Sequence, residues 1–158
     1  MVTAYLLDTN AFYTLGNYYP TRFPTIWEHI DDLVRESRFW SVKEVRREIE
    51  LNCPFEHIER WVRMNRHIFR KPNTRELEVV AKIFQRQQFL GLVRRNNILR
   101  GLPVADPFIV AAAKIHECTV VTQESFKNAG ARIPTVCNEF DVAYINIEQF
   151  LEMEKLQY

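Results

Sequence analysis

Residues 5–12 read Tyr-Leu-Leu-Asp-Thr-Asn-Ala-Phe, a short apolar run that ends at a carboxylate. With Val2 and Ala4, this run has the near-continuous apolar pattern of a strand covered on both faces of a sheet. In open parallel sheets, ligands bind outside the carboxyl ends of the strands, which is where Asp8 would lie. A role for Asp8 or Thr9 in capping the next helix explains this stretch equally well.

The composition is typical of a single globular domain. The chain has 158 residues, of which 47% are hydrophobic and 26% are charged, and both fractions are ordinary for a folded domain. No run approaches the roughly 18 apolar residues of a membrane span, and the N-terminus lacks a signal-peptide pattern. Three widely spaced cysteines suit reduced thiols better than a disulfide framework. We therefore expect one domain over residues 1–158, located in the cytoplasm and not associated with a membrane.

The hydrophobic pattern predicts strands that alternate with helices. Short apolar runs typical of strands cover residues 2–7, 38–40, 118–122 and 142–145. Helical patterns cover residues 22–36, 42–51, 55–66, 74–90, 107–117 and 146–156. Strands that are separated by helices form parallel sheets with helices on both faces. The sequence therefore predicts an α/β fold.

Positive charge is concentrated in one segment, although the net charge of the chain is only +1. Residues 60–105 carry eleven Lys and Arg side chains against two acidic ones. Such a segment can bind a polyanion, although charge runs are most often only solvated faces. Three arginines at three-residue intervals are expected to share one side of a helix: Arg60, Arg63 and Arg66. Trp61 and Met64 would then point elsewhere.

Four carboxylates stand at or near the ends of predicted elements. Asp8 and Glu124 each follow a strand directly. Asp106 precedes Pro107 at the start of an almost wholly apolar helix, which also predicts that it is the N-cap residue. Glu48 borders the apolar stripe of another helix, where a boundary residue paired with Lys or Arg is an equally simple interpretation.

Glu44 competes with Glu48 for the second acidic position. Ser41 followed three residues later by Glu44 is the pattern of a capping box. This pattern predicts that Glu44 stabilises the start of the helix, which favours Glu48 for the site.

Together the four carboxylates indicate a site for a divalent cation. Like charges about 5 Å apart repel by roughly 3 kcal/mol at an effective dielectric constant near 20, so such a cluster needs protons or a cation. Donor sets made only of oxygen favour Mg²⁺ or Mn²⁺ over zinc. The four histidines and three cysteines show no zinc-ligand spacing.

The segments that carry these acids resemble PIN-domain ribonucleases of the VapC-like toxin group. The matching pieces are Leu-Asp-Thr-Asn at 7–10, Val-Arg-Arg-Glu-Ile at 45–49, Ala-Asp-Pro-Phe-Ile-Val-Ala-Ala-Ala at 105–113 and Val-Val-Thr-Gln-Glu at 120–124. The order and spacing of all four pieces are specific, and the resemblance covers nearly the whole chain. It implies a single PIN-like domain with a parallel sheet of strand order 3-2-1-4-5 and helices on both faces.

The resemblance also implies the site residues. It assigns four catalytic and metal-binding acids: Asp8, Glu48, Asp106 and Glu124. It assigns Asn10 and Thr122 as supporting polar residues. The family more often has Asp at the position of Glu124, so this longer side chain is expected to bind metal through water or to act indirectly.

The activity that the resemblance implies is RNA cleavage dependent on Mg²⁺ or Mn²⁺. The partners would be an RNA substrate, a cognate antitoxin protein and a second copy of the chain in a homodimer. Basic side chains would hold the RNA backbone and give a salt-dependent affinity. The candidates are Arg94, Arg95, Arg100, Arg60, Arg63 and Arg66.

Three other functions fit parts of the pattern. A PIN nuclease in RNA processing, without an antitoxin, has the same site. A non-catalytic PIN-like scaffold that binds RNA or protein has no need for four acidic positions. Phosphotransfer with Asp8 as nucleophile in a haloacid-dehalogenase-type site requires a second aspartate where this chain has Asn10, and the sequence has no glycine-rich phosphate loop.

Overall fold

The computed structural model describes residues 2–86, 105–125 and 132–156. The strands of the sheet are β1 Tyr5–Leu7, β2 Phe39–Val42, β3 Phe69–Arg70, β4 Thr119–Val121 and β5 Tyr144–Ile145. All neighbouring strands are parallel, and their order is β3-β2-β1-β4-β5. The predicted α/β fold and its strand order are therefore confirmed.

Helices connect the strands of the sheet. Their bounds are α1 Thr9–Leu15, α2 Pro24–Arg35, α3 Lys43–Asn52, α4 Glu56–Met64, α5 Thr74–Gln85, α6 Asp106–His116, α7 Ile133–Glu139 and α8 Ile147–Met153, with a short 3-10 helix at Arg66–Ile68. Across these described stretches, none of the helices has the length and apolar character needed to cross a bilayer.

The apolar run that opens the chain forms the central strand. β1 lies between β2 and β4, with Tyr5 paired with Phe39 on one side and with Thr119 on the other. Tyr5, Leu6 and Leu7 are fully buried, as expected for a strand covered on both faces. The C-terminal end of β1 therefore lies in the middle of the sheet edge.

Successive residues of the sheet face different helix layers. On one face, the Tyr5 ring packs edge-on against Phe150 of α8 at 4.8 Å, and Phe39 packs against Phe12 of α1 at 6.1 Å. On the other face, Trp40 packs against His116 of α6 at 5.2 Å. The helices therefore cover both faces of the sheet, which fixes its edge as the open place for a site.

The sequence pattern missed three short elements. α1 and α7 have seven residues each and β3 has two, and windows of this length are too short for a hydrophobic period to stand out. The helix predicted over residues 74–90 ends at Gln85 within the described residues, and residues 87–90 lie outside them.

Candidate functional site

Asp8 lies at the C-terminal edge of the sheet and is also the N-cap of α1. Its side chain is almost fully buried, with 2% of the residue exposed. Oδ1 accepts a hydrogen bond from the backbone amide of Ala11 at 2.8 Å, and Oδ2 accepts one from the Thr122 hydroxyl at 2.6 Å. Asp8 is therefore both a helix cap and a carboxylate at the sheet edge where parallel sheets bind their ligands.

The surroundings of Asp8 disfavour its charged form. The pKa of Asp8 is raised to about 7; burial is the largest cause, and the charges of Glu124 and Glu48 act in the same direction. The hydrogen bonds from Thr122 and Ala11 act in the opposite direction. A buried carboxylate with acidic neighbours gains from a bound cation, and pKa values perturbed in this way cluster at functional sites.

Thr122 joins Asp8 to Glu124. Its buried hydroxyl donates to Asp8 and accepts from the backbone amide of Glu124 at 3.1 Å. Glu124 Oε2 in turn accepts from the backbone amide of Ile133, the first residue of α7, at 2.9 Å. The Glu124 carboxylate therefore stabilises a helix start while its charge acts on Asp8.

Glu48 lies one turn and a half into α3 and is half-buried. Its Oε2 accepts a hydrogen bond from the Thr9 hydroxyl, which belongs to the first residue of α1. Burial raises the pKa of Glu48, and the Glu44 charge raises it further, whereas Thr9 and the backbone amide of Ala105 lower it by hydrogen bonding. Glu48 thus links α1, α3 and the start of α6. The sequence analysis did not identify Thr9 as the hydrogen-bond partner of Glu48, although Thr9 lies in the Asp-Thr-Asn triplet.

The structure corrects the prediction that Asp106 is the N-cap residue. Ala105 is the N-cap of α6, and Asp106 and Pro107 occupy the first two helical positions. Proline is tolerated at both early positions, because those backbone amides lack partners within the helix. Asp106 is half-buried and directly follows the residue whose amide contacts Glu48. Asn10 lies exposed in the first turn of α1.

The predicted capping box at Ser41 and Glu44 is wrong. Ser41 belongs to β2, is fully buried and donates its hydroxyl to the Leu7 carbonyl at 2.6 Å. The N-cap of α3 is Val42, which makes no side-chain capping bond. Ser41 instead joins β2 to β1 near Asp8, because the strand continues two residues further than the sequence pattern suggested.

Glu44 is left buried without full hydrogen bonding. It is 6% exposed, and its Oε2 has no hydrogen-bond partner in the part of the chain that the structure describes. Burial raises the pKa of Glu44, and Glu76 raises it further, while Lys43 and Arg47 lower it. This carboxylate therefore opposes folding when it is ionised.

Replacing Glu44 with glutamine is expected to favour the folded state increasingly as pH rises. A carboxyl whose pKa is raised in the folded state contributes stability at low pH and loses it as pH rises through the folded pKa. The free energy of unfolding of Glu44→Gln relative to the parent should therefore be larger at pH 8 than at pH 5. Urea denaturation at both pH values measures it. Glu50→Gln, an exposed change on the same helix, should show no such increase, and an equal response of both variants would contradict the prediction.

The carboxylates fit a hydrated divalent cation in their chemistry. Among residues 2–86, 105–125 and 132–156, no three His, Cys, Asp or Glu side chains are grouped as a complete metal centre. Mg²⁺ usually needs only one or two protein carboxylates, because water and substrate phosphate fill its other positions. Asp8 and Glu48 meet this requirement: both offer oxygen donors, both have a raised pKa, and the charge of Glu48 acts on Asp8. All four acids stay predictions as metal ligands: Asp8, Glu48, Asp106 and Glu124.

The structure separates the arginines that were expected to share one helix side. Arg63 and Arg66 line a groove of about 320 Å³ between α3 and α4, together with two acidic residues, Glu50 and Glu59. Arg60 instead lines a second groove together with Trp61 and Met64. The expectation that Trp61 and Met64 point away from the arginines is therefore wrong for Arg60. Arg94, Arg95 and Arg100 lie outside the described residues.

Comparison with known sequences gives one family match. A family model described as a domain of unknown function, DUF4411, matches residues 5–158. Among curated protein sequences, none matches this chain.

Solved structures with the same fold include three whose likeness extends over most of both chains. PAE2754 from Pyrobaculum aerophilum has 17% identity and a TM-score of 0.50, covering 99% of this chain and 100% of that chain. VapBC-1 from nontypeable Haemophilus influenzae has 16% identity and a TM-score of 0.52, covering 91% of this chain and 98% of that chain. FitAB bound to an IR36 DNA fragment has 20% identity and a TM-score of 0.50, covering 90% and 94%. The resemblance to the VapC-like PIN group is thus confirmed for the fold.

Proposed function

This chain belongs to the DUF4411 family, a domain of unknown function, and we propose that it is a divalent-metal-dependent endoribonuclease. The observation that carries the proposal is Asp8. It is a carboxylate at the open edge of a parallel sheet, where burial raises its pKa and the charges of Glu124, just beyond β4, and Glu48 on α3 raise it further. This is the electrostatic environment of a cation site.

Each side chain of the site has a distinct task in the proposed reaction. Asp8 and Glu48 hold the cation, which supplies an activated water and stabilises charge on the phosphate when it is bound. Thr122 and the Ala11 amide fix both oxygens of Asp8. The Thr9 hydroxyl fixes Glu48. Asp106, at the start of α6, is proposed as a third acid that faces the substrate phosphate or its water.

Glu124 is proposed to act indirectly. Its Oε2 is engaged by the Ile133 amide, and its backbone amide donates to the Thr122 hydroxyl. Glu124 therefore positions Thr122, which in turn positions Asp8. This role agrees with the longer side chain that stands where the family more often has aspartate.

The biological role that we propose is that of a toxin held inactive by an antitoxin protein. The similarity in fold to the VapBC and FitAB structures supports this assignment. A homodimer in the cytoplasm, and Mg²⁺ or Mn²⁺ as the metal, belong to the same proposal. Growth arrest on expression of the chain alone, relieved by a neighbouring small protein, would distinguish a toxin from a nuclease of RNA processing.

Cleavage of single-stranded RNA with and without Mg²⁺ or Mn²⁺ tests the enzymatic proposal. The parent is expected to cleave only with metal, and Glu48→Gln should lower the rate at least a hundredfold, because a ligand carboxylate is lost. Glu44→Gln, one turn earlier on α3, should cleave at nearly the parent rate. An inactive Glu44→Gln beside an active Glu48→Gln would mean that the second acid has been assigned to the wrong residue.

A further inference from the structure

The three residues that follow β4 each bind a different element of the fold. Thr122 donates its hydroxyl to Asp8 at 2.6 Å, and Glu124 accepts from the first amide of α7. Gln123, which lies between them, accepts from the first amide of α8 through its side-chain oxygen at 2.8 Å. We call residues 122–124 the β4 exit. The bonds of Thr122 and Glu124 serve the proposed site, and the bond of Gln123 ties the same segment to the last helix.

The start of α8 already has a cap of its own. Asn146, the N-cap residue, forms a capping box with Gln149: Gln149 Oε1 accepts from the Asn146 amide at 2.9 Å, and Asn146 Oδ1 accepts from the Gln149 amide at 2.8 Å. The amide of Ile147 lies in the first turn, where backbone amides have no acceptor within the helix. Gln123 supplies that acceptor from the β4 exit. Its hydrogen bond therefore fastens one segment to another.

α8 is held firmly against the sheet. Ile147 and Phe150 are fully buried, and the Phe150 ring packs edge-on against Tyr5 of β1 at 4.8 Å. At the C-terminal end of the helix, Glu154 accepts a hydrogen bond from the Tyr5 hydroxyl at 2.5 Å. Because α8 is anchored to the central strand along its length, the Ile147 amide is a fixed point to which Gln123 holds the β4 exit.

Gln123 also joins two groups whose alignment affects Asp8. The Glu124 amide donates to the Thr122 hydroxyl oxygen at 3.1 Å. A hydroxyl has a single proton, so this accepted bond leaves the proton of Thr122 directed at Asp8. The Glu124 nitrogen is bonded to the carbonyl carbon of Gln123, so a rotation of the Gln123 backbone moves the Glu124 amide away from Thr122.

We propose that Gln123 is a positioning residue of the proposed metal site. Its hydrogen bond to α8 fixes the β4 exit, which keeps the Glu124 amide on Thr122 and the Thr122 hydroxyl on Asp8. This inference rests on the proposed function and deepens it, because it adds to the acids a residue that contacts neither the metal nor the substrate.

Hydrogen exchange of the Glu124 backbone amide, measured by NMR in chelator, tests this linkage without metal or RNA. Gln123 is exposed, so the fold should tolerate substitution there. Gln123→Ala removes the acceptor, so exchange at Glu124 should become about 2- to 12-fold faster, the range for loss of one hydrogen bond. Gln123→Glu keeps an acceptor oxygen for the Ile147 amide and should exchange within about twofold of the parent.

Gln149→Ala is the matched control. It removes a side-chain acceptor of the same type from the start of the same helix, but it does not alter the β4 exit. Both alanine variants should lose a similar amount of melting temperature, because each removes one hydrogen bond from the start of α8. Only Gln123→Ala should speed exchange at Glu124.

Calorimetric titration with Mn²⁺ measures the effect on the site itself. Partners that orient a metal ligand contribute about 10- to 100-fold to metal affinity. Gln123 acts one step further out, through Thr122, so Gln123→Ala should weaken Mn²⁺ binding by roughly threefold to tenfold, and Gln149→Ala by less than about twofold.

Three results would overturn the inference. Exchange at Glu124 that stays at the parent rate in Gln123→Ala would show that the side-chain bond does not hold the β4 exit. Equal acceleration in Gln149→Ala would reduce Gln123 to a cap of α8. An unchanged Mn²⁺ affinity of Gln123→Ala would separate the β4 exit from the metal.

These results are distinct from those of the cleavage assay. A parent chain that binds Mn²⁺ with the help of Gln123 but never cleaves RNA would refute the ribonuclease proposal alone. A parent chain that cleaves RNA with metal, beside a Gln123→Ala variant that matches it in exchange and in Mn²⁺ affinity, would refute the role of Gln123 alone.

Discussion

Replacing Asp8 with asparagine is expected to lower metal-dependent RNA cleavage by about a thousandfold or more while the fold is kept. The loss follows from removal of the charge at the centre of the site, and the scale is that of deleting a central catalytic group. Asparagine has nearly the same shape, and its amide oxygen can still accept from the Ala11 backbone amide. Single-turnover cleavage with saturating Mn²⁺ measures the loss, and circular dichroism confirms the fold.

Asp141→Asn is the matched control for this experiment. Asp141 is exposed and has a positive φ of 56°, a conformation that asparagine also tolerates well. It should cleave RNA like the parent. A folded Asp8→Asn protein with near-parent cleavage would reduce Asp8 to its capping role, and the proposed active site would be lost with it.

Asp8→Asn is also expected to stabilise the protein at pH 8 when a chelator keeps divalent metal away. Asp8 has an ordinary pKa of 3.8 that rises to about 7 in the folded chain. A raised carboxyl pKa gives stability that is complete below pH 4 and is lost as pH rises towards 7, and the loss amounts to about 4 kcal/mol. Asparagine carries no charge, so Asp8→Asn should avoid most of this loss. Its melting temperature at pH 8 should exceed that of the parent by several degrees.

Melting curves at pH 4, 6 and 8, in chelator and at equal ionic strength, measure the effect. The difference between Asp8→Asn and the parent should grow from pH 4 to pH 8, and Asp141→Asn should show no such growth. Mn²⁺ at about 100 times its dissociation constant should add about 2.7 kcal/mol to the parent and less to Asp8→Asn. If Asp8→Asn is less stable than the parent and gains as much stability from Mn²⁺, the role of Asp8 is limited to capping α1.

The apolar pattern was sufficient for four of the five strands because that information was local, whereas β3 has only two residues and was missed. A continuous apolar run such as Tyr5–Leu7 needs burial on both faces, and only a central strand provides it. The acids that end or border these elements could be placed at one edge for the same reason. Asp8 was interpreted from the sequence either as a helix cap or as part of an acidic site. The structure shows that one carboxylate does both, because it caps α1 and its pKa responds to the charges of Glu124 and Glu48.

The features that escaped prediction depend on contacts between distant segments. Ser41 resembles the start of a capping box, but Leu7 supplies a carbonyl that draws its hydroxyl into the sheet. A hydrogen bond between neighbouring strands therefore prevailed over local capping chemistry. The groove that Arg60 lines with Trp61 and Met64 also contains Trp27 of α2, and no single stretch of sequence carries a pattern for it.

The hydrogen bond between Thr122 and Asp8 has a consequence for synthesis of the chain. These residues are 114 positions apart, so the ribosome must add that many residues after Asp8 before its partner exists. At about 5–20 residues per second this takes roughly 6–23 s. The strand that lies at the centre of the sheet is made first but is completed late, when β4 arrives. A nascent chain therefore carries Asp8 without an assembled site around it until residue 122 has been added.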